Sequence, residues 1–378
     1  MPKKMILALL TLLLAGLACA LEVEPLIVTV DVPPPTLQKI ETVFAPEEGG
    51  REIPLEVGYG YRKAFYEVYF TEPFSRFAKM EAGGPDQPLV QAIEQARLSL
   101  DVAVYSLSLE SVRDALLDAE RRGVNVRVVM ESGNMERSAP QRLMNAGIEI
   151  IGDRREGLMH NKFVIIDRSE VWLGSMNLTT SGTYDENNNL VRIRSQKVAE
   201  NYLTEFNEMF ENDLFGPDTL AATPNPRLSI DGISVETYFS PDDRVGRRIL
   251  ELLKGAEKSI RFMAFSFTTD DFAETILGKA SQGLSVAGVM DEGQFKSNTG
   301  GEFDQFKAAS LPVYLDGNPS NMHHKVFIID EEIVIFGSYN FSASAEKKND
   351  ENVMIIFDPD FAAQFTAEFW RVYDKAKR

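Results

Sequence analysis

A chain of 378 residues with 44% apolar side chains can build two moderate cores, and its 57 acidic residues against 39 basic ones leave a net charge of -18. That balance counts against a surface that grips polyanions as a whole, because a basic face supplies most non-specific nucleic-acid affinity, although a local basic funnel can sit within an acidic chain. Cys19 is the single cysteine, so an intramolecular disulfide and a cysteine metal cluster are excluded.

Residues 1–20 carry Lys3 and Lys4, an apolar run from Met5 to Leu17, and then Ala18-Cys19-Ala20. This basic, apolar and small-residue order is that of a secretory signal peptide, and the run is shorter than the roughly 20 residues a membrane span needs. An exported protein cut after Ala20 is expected, periplasmic or secreted, with lipid anchoring at Cys19 as the alternative. Loss of Lys3 and Lys4 leaves 37 basic against 57 acidic residues, a net charge of -20. Leu26 to Val32 reads as a short strand closed by Pro33-Pro34-Pro35, and residues 21–66 read as an extended, Pro-rich N-terminal segment.

From Glu67 the chain repeats itself. Glu67-Val68-Tyr69-Phe70 matches Glu236-Thr237-Tyr238-Phe239, and Tyr105-Ser106, Gly123-Val124-Asn125-Val126 and Met130-Glu131 match Phe265-Ser266, Gly283-Leu284-Ser285-Val286 and Met290-Asp291 at an offset of 160. Each half reads strand (Leu100 to Tyr105; Ile260 to Phe265), helix (Ser111 to Arg122; Asp271 to Gln282), strand (Val124 to Met130; Leu284 to Met290) and a further strand. The helices carry apolar residues three and four apart, as at Val112, Ala115, Leu116 and Ala119, with Gly123 and Gly283 at their ends. Final helices are read near Val198 to Phe210 and Phe361 to Tyr373. The expectation is an α/β protein of two duplicated sandwich domains with mixed sheets, residues 67–212 and 234–378, joined by a linker at 213–233 that contains Pro217, Pro224 and Pro226.

The last repeated stretch carries chemistry. Met159-His160-Asn161-Lys162-Phe163-Val164-Ile165-Ile166-Asp167, then Gly174-Ser175-Met176-Asn177, returns as Met322-His323-His324-Lys325-Val326-Phe327-Ile328-Ile329-Asp330 and Gly337-Ser338-Tyr339-Asn340. Both copies read H-x-K-x4-D-x6-G-S-x-N, and all three histidines of the chain lie in them. On a strand, His160 and Lys162 share one face, as do His323 and Lys325, while His324 points the other way as a packing residue. A single His-x-Lys pair is ordinary; two copies at identical spacing are not.

These motifs resemble the signature of the phospholipase D superfamily over most of the chain. The resemblance implies one active site at a pseudo-twofold interface between the two domains, working through a phosphohistidine without a metal or other cofactor. Such chemistry needs a nucleophile, a proton donor for the leaving oxygen and positive charge on the phosphoryl oxygens. One neutral imidazole would attack while the other, protonated, serves as acid. Lys162 and Lys325, helped by Asn177 and Asn340, would hold the oxygens; a lysine about 4 Å from a unit negative charge contributes on the order of 4 kcal/mol at an effective dielectric near 20. No acidic cluster accompanies the histidines at metal-ligand spacing. From the resemblance, His160 is the nucleophile and His323 the acid, and a downstream Glu orients each ring, for which Glu186 and Glu351 stand in Asp185-Glu186-Asn187 and Asp350-Glu351-Asn352. Ser175 and Ser338 are read as binding substrate or closing a turn, and Asp167 and Asp330 as tying down a loop.

The function this implies is an exported phosphodiesterase of the phospholipase D type, a monomer cleaving a phospholipid head group at a membrane surface. Tyr59-Gly60-Tyr61 and Phe262 to Phe267 are two candidates for a lipid-facing rim, the second reading better as core strand. The alternatives are a metal-independent extracellular endonuclease acting on DNA or RNA, a non-catalytic phosphodiester-binding module, and a transphosphatidylating enzyme. Retention of both His-x-Lys pairs weighs against the module.

Overall fold

The computed structural model describes residues 49–378; the signal peptide read at residues 1–20 with Cys19, the strand read at Leu26 to Val32 and the proline run lie outside the described residues. Two mixed sheets carry the described chain. The first contains β1 (Arg51–Pro54), β2 (Tyr59–Lys63), β3 (Tyr66–Phe70), β4 (Ser99–Val104), β5 (Asn125–Met130), β6 (Glu149–Gly152), β7 (Lys162–Ile166), β8 (Glu170–Gly174) and β9 (Asn189–Arg194), in the order β1-β2-β3-β9-β8-β7-β4-β5-β6. The second contains β10 (Arg227–Ile230), β11 (Ile233–Ser240), β12 (Ser259–Ala264), β13 (Ser285–Met290), β14 (Val313–Leu315), β15 (Lys325–Ile329), β16 (Ile333–Gly337) and β17 (Glu351–Phe357), in the order β10-β11-β17-β16-β15-β12-β13-β14.

The orders superimpose strand for strand, with β1 the extra member. β4, β5 and β6 run parallel, as do β12, β13 and β14, and the other pairs are antiparallel. Parallel pairing requires a crossover, and the helices Glu110–Arg121 and Asp270–Ser281 supply it. Each lysine of the motif opens its strand at the same register, Lys162 opposite Val104 and Lys325 opposite Ala264.

Residues 51–63 differ from the extended reading of this segment. β1 and β2 form an antiparallel ribbon continued by β3 into the first sheet. Lys63 Nζ reaches Asp358 and Asp360 at 2.9 and 2.8 Å, and the Tyr59 hydroxyl donates to Glu368 of the last helix, Pro359–Ala376. Composition there is rich in Gly, Pro and Glu, but alternating side chains and these long-range ion pairs hold it as strand. With its hydroxyl spent on Glu368 and the Arg371 guanidinium 3.3 Å from its ring centroid, Tyr59 is no lipid-facing rim. Phe262 to Phe267 is core strand, with Phe262, Met263 and Phe267 buried.

The linker stretch is also partly ordered as strand, β10 pairing with β11. The last helix packs on both sheets. Phe361 and Phe365 meet Phe336 of β16 at 5.4 and 5.6 Å and also Tyr66 and Phe70 of β3 at 4.9 and 5.0 Å. Tyr202 of the helix Gln196–Asn212 meets Phe163 and, across the halves, Phe239, both at 5.0 Å. The apolar core is therefore continuous between the halves. Truncating Phe365 to alanine removes a side chain that belongs to both, at a typical loss of about 3–5 kcal/mol.

Candidate active site

Each motif enters its strand through a segment held by the other half. Met159 bridges Asp350, and Asn187 bridges Met322. The His160 N–H donates to Asp350 O and the His323 N–H to Asn187 O, both at 3.0 Å. Backbone pairing thus brings the residues after one motif beside the histidine of the other.

The ring contacts follow from it. His160 Nδ1 lies 2.7 Å from Glu351 Oε2. His323 Nδ1 lies 2.9 Å from Asn188 Oδ1, whereas Glu186 Oε2 is 3.8 Å away. The pairing of Glu351 with a histidine agrees with the sequence reading; that of Glu186 is corrected. With the motifs 163 residues apart, Glu351 corresponds to Asn188 and Glu186 to Asn349, so the two halves carry carboxylate and amide in exchanged positions. Each pair is joined internally, Asn188 Nδ2 donating to Glu186 at 3.2 Å and Asn349 Nδ2 to Glu351 at 3.3 Å. Carboxylate touches ring on one side, and amide touches ring with carboxylate behind it on the other.

Ser175 and Ser338 hold these partners rather than substrate. Ser175 Oγ donates to Asn188 Oδ1 at 2.8 Å, and Ser338 Oγ to Glu351 Oε2 at 2.7 Å; both serines are fully buried. The preceding glycines, Gly174 at φ 152° and Gly337 at φ 148°, are required there, since a Cβ would stand 2.4 and 2.2 Å from the carbonyls of Asn189 and Asn352. Asp167 and Asp330 act as the sequence suggests. Their carboxylates gather the N–H groups of Arg97, Leu98 and Ser99, and of Glu257, Lys258 and Ser259, which start β4 and β12.

His324 does more than pack. It is fully buried, with Nδ1 2.9 Å from Asn189 Nδ2 and Nε2 3.0 Å from Glu368 Oε1. Asn161, its counterpart, accepts from Asn352 Nδ2 at 2.9 Å. Position 161 or 324 therefore ties the base of each motif to the other half, because a buried ring or amide has to find partners.

The lysines lie along the protein interior, Nζ of each donating to the carbonyl of its own histidine at 2.8 Å. Tyr105 packs edge-on against His160 at 5.1 Å and Phe265 against His323 at 4.6 Å, with Lys162 and Lys325 over the same two rings. The sequence repeat paired Tyr105 with Phe265 without marking them as site residues; only contact with the histidines does so. Asn177 and Asn340 are half-buried, and each keeps a buried amide oxygen without a protein partner among the described residues. Their polar ends are thus uncommitted at equivalent positions.

Burial dominates the electrostatics. It brings the His160 ring down to about 4, against Glu351, which favours the charged form, and with Lys162 and Lys325 acting in the same direction as burial. Burial pushes His323 well below the ordinary histidine value, helped by Lys325, Lys162 and His160. Lys162 is brought down to about 7 by burial, opposed by Glu351 and Glu186. Lys325 falls well below the usual lysine range through burial and Lys162. Each histidine feels the lysines of both halves. Burial thus biases both rings toward the neutral form in the unliganded protein, so the protonated ring that the chemistry asks for is the disfavoured one.

Among the described residues no group of three or more His, Cys, Asp or Glu side chains is placed to hold a metal ion. Phosphodiester turnover is expected to persist within about twofold in excess chelator after dialysis. A loss beyond about tenfold that a divalent ion restores would contradict a lysine-based site.

The family model described as "Cardiolipin synthase, PLD-like domain" matches residues 89–210 and, a second time, residues 249–373. The mitochondrial cardiolipin hydrolase of Chlamydomonas reinhardtii is 28% identical over 181 residues, covering 42% of this chain and 81% of that protein. A phospholipase D of Rickettsia bellii is 28% identical over 162 residues, covering 41% of this chain and 80% of that protein. Among solved structures, the phosphatidylserine synthase of Haemophilus influenzae shares the fold, with a TM-score of 0.59 at 14% identity over 82% of this chain and 86% of that one. The double match spans more than half of the chain and takes in both His-x-Lys motifs, and by it the chain belongs to the phospholipase D superfamily.

Proposed function

We propose that the chain is an exported phosphodiesterase that hydrolyses a phospholipid head-group bond at one active site shared by the two halves. The observation that carries this reading is the reciprocal holding of two buried His-x-Lys pairs, each ring fixed through Nδ1 by a residue of the opposite half. With Nδ1 engaged, Nε2 of each ring is left for phosphorus or for a leaving oxygen.

His160 Nε2 donates its lone pair to phosphorus as the bond to the leaving oxygen breaks, and His323 Nε2–H gives that oxygen its proton. Water then attacks phosphorus, its proton passes to His323, and the P–N bond to His160 breaks. Lys162, Lys325, Asn177 and Asn340 hold the non-bridging oxygens. His323 takes its proton from solvent as the substrate binds, because the phosphodiester anion offsets the burial and the lysine charge that disfavour the protonated ring beforehand. The lipid reading is supported by the names of the two relatives above, a cardiolipin hydrolase and a phospholipase D.

The test is a parallel assay on phosphatidylcholine vesicles, cardiolipin-containing vesicles and single-stranded DNA, with His160→Ala as the blank. Release of head group or phosphatidate at least about tenfold faster than DNA cleavage is expected. The reverse ranking would replace the lipid reading with the nuclease one.

A further inference from the structure

The turn that leaves β3 departs from the usual treatment of apolar side chains. Ser75, Ala78, Met80 and Glu81 N–H groups donate to the carbonyls of Glu72, Ser75, Phe77 and Ala78, each three residues back. Ala78–Met80 is a single 3₁₀ turn, and residues 73–77 lead into it through successive tight turns. Spaced three apart along these turns is a line of large apolar residues, Phe74, Phe77 and Met80, exposed by 41, 43 and 70%. Arg76 and Lys79, also exposed, are interleaved with them in the chain.

The segment is anchored at both ends. The Thr71 hydroxyl donates to Glu186 O at 2.7 Å and accepts from the Asn188 N–H at 2.8 Å, and Gly83 O accepts from Val57 N–H at 2.9 Å. Ala78 is the buried residue of its last turn. The line of large apolar groups is therefore presented by a fixed scaffold that begins where the partner of His323 is held.

We propose that Phe74, Phe77 and Met80 insert into the surface of an anionic phospholipid bilayer, docking the enzyme on its substrate. The argument for this occupant is charge. In a chain with 57 acidic and 39 basic residues, the cations Arg76, Lys79, Arg371, Lys375 and Arg378 meet here against Glu72, Glu81, Glu368 and Asp374, so the balance of the whole chain is locally reversed. Lys375 Nζ sits 3.6 Å from the Phe74 ring centroid and the Arg76 guanidinium 4.5 Å from that of Phe77. Aromatic side chains with cations at their level suit the head-group boundary, where apolar area enters the acyl region and each nearby Lys or Arg attracts anionic lipid. A groove of about 320 Å³, whose lining combines the carboxylates of Glu72 and Asp374 with Lys375 and Arg378, runs from Phe74 to Asn187 in the segment against His323. The proposal rests on the lipid reading for its purpose and on the exposed line for its place.

The experiment is co-sedimentation of the full protein with phosphatidylglycerol–phosphatidylcholine vesicles, alongside turnover of the soluble diester bis(4-nitrophenyl) phosphate and measurement of oligomeric state. Phe74→Ser/Phe77→Ser/Met80→Ser is expected to weaken vesicle binding about thirtyfold. Arg76→Gln/Lys79→Gln is expected to weaken it about tenfold and to remove the preference for phosphatidylglycerol. Both variants should turn over the soluble diester as the wild type does, which shows them folded. Vesicle binding unchanged in the triple variant overturns the proposal. So does a wild-type dimer that the triple variant splits while binding vesicles equally, which assigns the line to a second copy. Loop-dependent binding without lipid hydrolysis sinks the lipid reading and leaves the docking. Hydrolysis of a monomeric short-chain lipid without vesicle binding does the opposite.

Discussion

Replacing His160 with alanine is expected to lower phosphodiester turnover by about 10⁴-fold or more and to leave no phosphate on any peptide of the acid-quenched protein. Replacing His323 should have a different signature: with a nitrophenyl leaving group, which needs no proton, phosphate should accumulate slowly on the His160 peptide and leave it poorly. The two rings are unequal because their partners are. When Nε2 of His160 bonds to phosphorus the ring becomes cationic, and Glu351 Oε2, 2.7 Å from Nδ1, meets that charge directly. His323 has the neutral amide of Asn188 in the same place, so its imidazolium gives up a proton more readily. Glu351→Gln should slow adduct formation about a hundredfold with any leaving group. Asn188→Asp should instead slow turnover chiefly where the leaving group is a poor one. Tandem mass spectrometry that finds the wild-type adduct on His323 would reverse the assignment, and its absence from both histidines under burst conditions would point to direct attack by water.

Lys162→Met is expected to lose about 10³-fold in activity and yet to melt several degrees higher at pH 7. The ammonium is buried, and burial brings it down to about 7 in the folded state from about 10.5 in the unfolded chain. Between those values the unfolded chain holds more protons than the folded one, so this residue makes wild-type stability rise with pH across that window. His160, at about 4 folded against about 6.5 unfolded, makes it rise between those two values as well. Methionine fills the space without the charge. After loss of the bond to the His160 carbonyl, a net gain on the order of 2 kcal/mol remains, or roughly 4 °C in a chain of this size. The difference between variant and wild type should shrink as pH is raised from 7 to 10. A variant less stable than wild type at pH 7 would show the ammonium to be net stabilising through Glu351 and Glu186.

Much of this was legible in the sequence because it is periodic or repeated. The α/β architecture, the crossover helices and the two motifs are all written in apolar spacing and in offsets of 160 and 163, and helices such as Gln196–Asn212 run only a turn beyond the expected ends. Asp167 and Asp330 were legible as loop ties because an acid after a buried strand has N–H groups to collect. What failed did so for local reasons. Asp185-Glu186-Asn187 looks like Asp350-Glu351-Asn352, and matching the look rather than the offset hid Asn188 opposite Glu351. Ser175 and Ser338 sit in the motif beside true site residues, but their side chains point inward to the ring partners. His324 was assigned by strand alternation alone, which gives a face and not the Asn189 and Glu368 waiting on it. The ribbon at 51–63 depends on ion pairs with residues three hundred positions away, beyond any local pattern.

The exchanged Glu and Asn have a consequence for ancestry and symmetry. Two identical subunits related by a twofold must place the same residue beside both histidines, so whatever distinguishes nucleophile from acid can come only from the substrate as it binds. Joining the halves in one chain lifts that constraint. Each half here retains one carboxylate and one amide, yet their order along the chain is reversed, at 186 and 188 against 349 and 351. On the proposed mechanism the bias between the two rings is thereby inherited instead of being decided anew in each encounter, and a diester arriving in either orientation would meet a site that already has a direction.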